Sequence, residues 1–323
     1  MNVLSEFDGM RCGAMALQRA GLPITNYFAS EVDKHAIKVA NAIYPEGVSI
    51  GCVKSVCVAM LPKIDLLLGG SPCQGFSFSG KQAGTKAIIN GREILVDSLV
   101  MYLMLKEAGA EFLSQSALFW EFVKTWQEVK AINPNAKFLL ENVRMKREYL
   151  DLISRTLGVE PIEINSNLLS AQSRPRLYWT NIEGVTAPED RGVFLKDILE
   201  LGGQAVGAMR ITGNHLKRIQ TSTDVAKGFT AINPDKAVCM TARQYSNWKG
   251  TFVTNGRTGC YRKLTPRECA RLQTVPEHHI DAMLASGVSD TQLYKMLGGR
   301  VDSRRDCTYF KFLHINVLTH NCV

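Results

Sequence analysis

Residues Asp65 to Gly80 read Asp-Leu-Leu-Leu-Gly-Gly-Ser-Pro-Cys-Gln-Gly-Phe-Ser-Phe-Ser-Gly, an apolar run emptying into a loop that carries Cys73. A leucine run between an aspartate and a glycine pair has the form of a buried parallel strand. The carboxyl ends of such strands form the edge where open α/β sheets hold ligands, so Cys73 stands where chemistry is expected. A free cysteine is more often a small buried hydrophobe. Pro72, Gln74 and the small polar residues beyond them argue instead for an accessible loop.

Upstream, Val3 and Leu4 lead through Phe7-Asp8-Gly9-Met10-Arg11-Cys12-Gly13, a short strand and a glycine-bearing turn, into a helix over 14–20. Glycine there lets a ligand approach the backbone, although a plain tight turn fits as well. A second strand over 26–30 is followed by Glu31. An acidic residue about 20 positions after the first turn is where a doubly wound fold places its acceptor for ribose hydroxyls; a solvated surface glutamate is the plain alternative. A third strand end is expected over 51–56.

Downstream, 81–117 interrupts the rhythm and reads as an inserted loop with its own helix over 99–106, patterned on Val100, Leu103 and Met104. The next helix, 118–132, turns Phe119, Phe122, Val123 and Trp126 inward at helical spacing. The strand over 137–140 then runs into Glu141-Asn142-Val143, repeating the Cys73 geometry, and in a parallel sheet the two tips can be neighbours. A helix over 147–157 and a strand over 162–164 precede Gln172-Ser173-Arg174-Pro175-Arg176, an extended basic strip. This alternation predicts an α/β fold with a doubly wound, mostly parallel sheet. Beyond Gly184, glycine-punctuated polar pieces read as a smaller loop-rich domain over 184–283, with 1–183 and 284–323 forming the larger one. Helices return over 265–273, where Thr265 can cap and Pro266 can open the first turn, and over 279–285.

The chain's 323 residues are ample for two such domains. A net charge of +8 favours a polyanionic partner. The nine cysteines include no Cys-x-x-Cys pair, which disfavours a disulfide framework or zinc site and fits reduced thiols. The segment Met1 to Glu6 carries no secretory pattern, and no run approaches the ~20 apolar residues of a membrane helix. A cytoplasmic monomer that binds neither membrane nor metal is the expectation.

Taken in order, the Phe7–Gly13 turn, Glu31, Ser71-Pro72-Cys73-Gln74, Glu141-Asn142-Val143, Gln172-x-Arg174-x-Arg176 and Arg271-Leu272-Gln273 resemble the blocks of bacterial and phage DNA cytosine-C5 methyltransferases. The resemblance runs from Val3 to about Gly298. It implies S-adenosylmethionine as cofactor, double-stranded DNA as substrate, and the loop-rich segment as target recognition domain. Cys73 would add as thiolate to C6 of cytosine, making C5 nucleophilic, on a base flipped out of the stack. Glu141 would be the acid that protonates N3. Arg176 would contact O2, Arg174 would support the nucleophile, and Asn142 would steady the loop around Glu141. Phe7, Gly9, Gly13, Glu31, Val32, Cys52, Val53, Pro72 and Leu118 would surround the cofactor. Gln74 and Ser77 would belong to a loop closing over the base, hinged at Gly75 and Gly80. Arg243, Tyr245, Asn247, Trp248 and Lys249 would face DNA.

Two departures fall on the cofactor side. Cys52 stands where the family has an aspartate for the adenine amino group, and a thiol is a poor substitute acceptor. Gly299 stands where the family has asparagine, and 300–323 lacks the usual closing helix, as a shifted reading frame would produce. The neighbouring frame of the coding sequence tests that: it should encode asparagine followed by an apolar helical pattern. Weakened cofactor binding is the expectation. A catalytically impaired DNA-binding relative and a transfer-RNA cytosine-C5 methyltransferase are the other readings.

Overall fold

The computed structural model describes residues 1–78, 80, 82–201, 207, 209–221, 224–242, 244–246, 249–255 and 260–298. The chain opens as β1 (Asn2–Glu6), α1 (Cys12–Arg19), β2 (Asn26–Ser30), α2 (Lys34–Ile43), β3 (Val48–Gly51) and β4 (Leu66–Gly69). An inserted unit follows, with β5 (Ala87–Ile89), β6 (Arg92–Ile94), α3 (Leu99–Glu107) and β7 (Glu111–Phe112). The alternation resumes with α4 (Phe119–Ile132), β8 (Lys137–Asn142), α5 (Arg147–Leu157), β9 (Ile162–Asn165) and β10 (Pro175–Thr180).

Seven of these strands form one sheet in the order β3-β2-β1-β4-β8-β10-β9. All pairs are parallel except the two made by β10. The side-chain alternation explains why both faces are covered. Val3, Leu66, Leu68 and Leu139 join one buried cluster, with α1 and α2. Leu4, Leu67, Phe138 and Leu140 join the other, with α4 and α5. A leucine run is what a strand buried on both sides requires. The order in which strands are added reverses between the parallel β1 and β4, the switch point at which open sheets leave a crevice. The Phe7–Gly13 turn and the Cys73 loop leave the sheet there side by side.

The inserted segment corrects the sequence expectation of a loop with one helix. It holds a three-stranded antiparallel sheet, β6-β5-β7. Asn90 (φ 50°) and Gly91 (φ 73°) make its hairpin turn, so Asn-Gly between β-branched runs was the readable signal. The helix α3 is also oriented otherwise than its pattern suggests. Tyr102 and Leu105 are buried, while Val100, Leu103 and Met104 are exposed, because the Tyr102 hydroxyl has a buried partner in Glu121 at 2.7 Å.

A second sheet, β11 (Arg210–Ile211), β12 (Thr230–Ile232), β13 (Gly250–Asn255) and β14 (Cys260–Lys263), lies within the loop-rich segment in the order β11-β14-β13-β12. The helix Pro266–Leu272 begins with the expected cap: Thr265 accepts from the Glu268 N–H, and Glu268 returns the bond. Its Cys269, Ala270 and Leu272, and Ile280 and Met283 of the helix Glu277–Ala285, share one buried cluster with α1 and α2. Gly299 and the tail lie outside the described residues.

Candidate active site

Cys73 is half-buried, while Ser71 and Pro72 before it are buried. The Cys73 carbonyl accepts from the Phe76 N–H (3.0 Å) and the Ser77 N–H (2.8 Å), closing a tight turn around the thiol. The turn is pinned by a residue the sequence did not single out. The fully buried Ser116 donates to the Pro72 carbonyl (2.7 Å) and accepts from the Gly75 N–H (2.8 Å). A small serine one turn before α4 carried no visible signal. Gly75 and Gly80, expected as hinges, are places of close approach. A Cβ would lie 2.4 Å from Ser114 Oγ at Gly75 and 1.9 Å from the Gln74 carbonyl at Gly80.

Parallel pairing of Gly69 with Leu140 sets the tip of β8 beside the tip of β4. Asn142 is buried there, and its Nδ2 donates to Ser71 Oγ (3.2 Å) and carbonyl (3.3 Å), while Oδ1 accepts from the Val143 N–H (2.8 Å). Asn142 thus ties the carboxylate strand to the cysteine loop. The antiparallel register of β10, with Tyr178 opposite Glu141, carries Arg176 past the strand end. Arg176 Nε lies 2.8 Å from Glu141 Oε1, both side chains being about nine-tenths buried.

Arg174 is buried, and its Nη1 lies 3.5 Å from both Cys239 Sγ and the Met240 carbonyl. Around it a short clasp forms. Gln172 Oε1 accepts from the Met240 N–H (2.8 Å), Ala237 N–H donates to the Ala171 carbonyl (2.7 Å), and Ser173 N–H donates to the Ala237 carbonyl (2.8 Å). The Gln-x-Arg-x-Arg strip therefore fastens 237–240 to the large sheet. Cys239 and Met240 were not legible from sequence, since only folding brings them within reach of β10.

At the end of β1, Phe7 (φ 56°), Gly9 (φ 65°) and Arg11 (φ 61°) all adopt left-handed backbone. Arg11, fully buried, donates to the Tyr44 carbonyl and to Ser49 Oγ, anchoring this turn to the β3 edge. Gly13 lies in the first turn of α1. Glu31 is buried: Oε2 accepts from the Gly9 N–H (2.9 Å), and Oε1 from the N–H groups of Val32 (2.7 Å) and Asp33 (2.8 Å). Burial raises its pKa to about 7, opposed by these three bonds. A carboxylate held by backbone donors beside a glycine turn is the acceptor that the hydroxyls of a ribose diol need, so S-adenosylmethionine fits this end of the crevice. The side chain of Val32 is exposed, Pro72 and Val53 are buried, and Leu118 and Cys52 are half-buried. Cys52 precedes the 3-10 turn Val53–Ser55, whose last N–H bonds the Cys52 carbonyl at 2.9 Å.

Two expected results follow from this end of the site. Hydroxyls that donate to Glu31 require its carboxylate, so cofactor binding should weaken about tenfold per pH unit below pH 7 and release a proton there. In the free protein the sign is opposite. The folded state holds the Glu31 proton more tightly than the unfolded chain, so this group's contribution to stability is lost as pH rises from the ordinary glutamate value of 4.5 through about 7. Calorimetric titration over pH 5.5–8.5 reads the first effect. Cys52→Asp should tighten cofactor binding by about tenfold or more in the same calorimetric titration, the worth of one charge-assisted hydrogen bond.

On the side expected to face DNA, Gln74 is exposed and Ser77 bridges to Met145. Lys249 Nζ lies 3.3 Å from Asp224 Oδ1 and 5.0 Å from the centre of the Phe229 ring. The half-exposed Tyr245 ring carries Lys295 Nζ at 5.5 Å. Arg243, Asn247 and Trp248 lie outside the described residues. Among the described residues, no group of three or more His, Cys, Asp or Glu could hold a metal ion, and no helix is long and apolar enough to cross a membrane.

The sheet is parallel except for β10 near its edge, with the buried Glu31 carboxylate beyond β2 and the Cys73 loop beyond β4, the mixed α/β frame of the methyltransferases it superposes on. Over residues 1–98 and 170–302 the sequence matches the family described as C-5 cytosine-specific DNA methylase, and the chain belongs to that family. It is an enzyme of the DNA cytosine methyltransferase class. Type II methyltransferase M1.ScrFI of Lactococcus lactis subsp. cremoris is 27% identical, over 93% of this chain and 74% of that protein. Type II methyltransferase M.HhaI of Haemophilus parahaemolyticus is 25% identical, over 93% and 90%. Among solved structures, the Entamoeba histolytica methyltransferase EhMeth superposes with a TM-score of 0.68 at 14% identity, covering 97% of this chain and 96% of that one.

Proposed function

We propose that this chain methylates C5 of cytosine in double-stranded DNA through a covalent bond from Cys73 to C6 of a flipped base. The observation that carries the reading is the adjacency of two strand tips: Cys73 beyond β4 and the Glu141–Arg176 pair at the end of β8, tied by Asn142 to Ser71. When bound, S-adenosylmethionine supplies an electrophilic methyl group. Phe7, Gly9, Gly13, Glu31, Val32, Cys52, Val53, Pro72 and Leu118 surround that cofactor. Cys73 attacks C6, and the electron pair moves through the ring toward N3, where a proton must be received; once C5 carries the methyl group, loss of the C5 proton to water breaks the C6–S bond, expels the Cys73 thiolate and restores the ring.

Glu141 delivers that proton. Arg176, whose Nε lies 2.8 Å from Glu141 Oε1 before the base enters, turns to the cytosine O2 as the base docks, and Glu141 hydrogen-bonds N3. Arg174 supports the nucleophile, and its Nη1 also meets Cys239 Sγ and the Met240 carbonyl, 3.5 Å from each. Gln74 and Ser77 lie on the loop facing the duplex, and Tyr245 and Lys249, with Arg243, Asn247 and Trp248, contact DNA. The recognition domain lies within 184–283 and ends with β14, because the helices Pro266–Leu272 and Glu277–Ala285 that follow pack with α1 and α2 on the catalytic domain of 1–183. The protein acts as a cytoplasmic monomer without metal.

Bisulfite sequencing of DNA from cells expressing the chain tests the proposal. Protected cytosines in one sequence context are the expected result, and fully converted DNA from cells with abundant folded protein would overturn it.

A further inference from the structure

We propose that Tyr149, in the first turn of α5, is a positioning residue that fastens the Cys73 loop on both of its flanks. On the near flank its ring lies 5.5 Å, centre to centre, from the ring of Phe76, which is fully buried. Phe76 is the residue whose N–H donates to the Cys73 carbonyl at 3.0 Å, so the aromatic pair holds the turn that presents the thiol. On the far flank the Tyr149 hydroxyl donates to the Gln82 carbonyl at 2.8 Å. Gln82 has φ 51°, a left-handed conformation that a residue with a Cβ adopts only where its surroundings enforce it. Gly84, also left-handed at φ 54°, lies flat against the same ring: a Cβ there would sit 2.3 Å from Tyr149 Cε1. The Gly84 N–H then donates to the Gly75 carbonyl at 2.9 Å, joining the two flanks.

Tyr149 itself is buried, and α5 runs on from the β8 tip that carries Glu141 and Asn142. One side chain thus references the cysteine turn to the element that positions the acid. A nucleophile displaced by about 1 Å from its line of attack loses roughly a hundredfold in rate, which is what such a fastening prevents. The role of Tyr149 in catalysis rests on the methyl-transfer function proposed above; the fastening itself does not.

Tyr149→Ala and Tyr149→Phe, in the full chain, separate the ring from the hydroxyl. Amide hydrogen exchange at Phe76 and Gly84 should accelerate about tenfold in Tyr149→Ala while β4 and β8 keep their protection. Methyl incorporation into genomic DNA from cells lacking cytosine methylation should show kcat lowered about tenfold or more, with the KM for S-adenosylmethionine within about twofold of wild type. Tyr149→Phe keeps the ring and should change exchange at Gly84 alone. A general structural role would raise exchange throughout and move KM together with kcat. Unchanged loop exchange, or a loosened loop with unchanged kcat, overturns the proposal. If Tyr149→Ala does not fold, Tyr149→Leu, which keeps apolar volume without the ring, carries the same readings. Wild-type protein that transfers no methyl groups counts against the functional proposal, and the exchange rates alone then decide the fastening.

Discussion

Replacing Cys73 by alanine is expected to lower kcat for methyl transfer by about three orders of magnitude or more, the scale seen when a covalent nucleophile is removed. Without a thiolate at C6 the ring does not gain the electron density that C5 needs, and geometry cannot compensate for a missing bond. Serine in its place is expected to fail similarly, because a hydroxyl ionises far less readily than a thiol. The substitution trims a half-buried side chain on a turn held by backbone bonds and Ser116, so the fold should survive it. Cofactor affinity, measured by calorimetry, should stay within about twofold, since the Glu31 network is built elsewhere. An unaltered rate in Cys73→Ala would exclude covalent catalysis. A wild-type chain that binds DNA without transferring methyl groups would favour action by occupancy.

The second large effect is expected for Glu141→Gln, lowering kcat by about 10²–10⁴, the usual worth of a positioned general acid. Glutamine preserves size and the hydrogen bond to Arg176 but neither accepts nor delivers a proton. Removing the charge also leaves the Arg176 cation without its counter-charge in a site where both side chains are about nine-tenths buried, so some loss of stability should accompany the loss of rate. The pH profile tells the two apart. A lost acid flattens the dependence of kcat on pH, whereas a merely loosened site lowers the curve without changing its shape. Arg176→Lys keeps the charge yet cannot reproduce the planar fork, and it should impair binding of the base more than proton delivery.

Much of the architecture was legible because strands buried on both faces leave a plain mark. Leu66–Leu68 and Phe138–Leu140 are apolar at every position, each ends in a chemically marked loop, and helices with one inward stripe separate them. The inserted segment was misread for the same reason: its strands are two or three residues long, too short to show alternation, and only Asn90-Gly91 announced the hairpin. In α3 the first seven residues, Leu99 to Leu105, are all apolar or aromatic, so the pattern could not single out the buried face, and Tyr102 and Leu105, with the Tyr102 hydroxyl on Glu121, turned inward instead of Val100 and Met104.

What the sequence determined by itself was the alternation of elements, the presence of Cys73, Glu141 and Glu31 at strand ends, and the odd thiol at position 52, since each is a matter of residue type and local spacing. Tertiary structure decided which of those ends meet. Pairing of β4 with β8 set the cysteine turn beside the carboxylate, and the antiparallel entry of β10 brought Arg176 onto Glu141. It also recruited Ser116, Cys239 and Tyr149, whose parts depend on contacts across long stretches of chain that no local pattern encodes. Local periodicity records how a segment is buried; only the closing of the sheet, with its register and its hydrogen bonds, records against what.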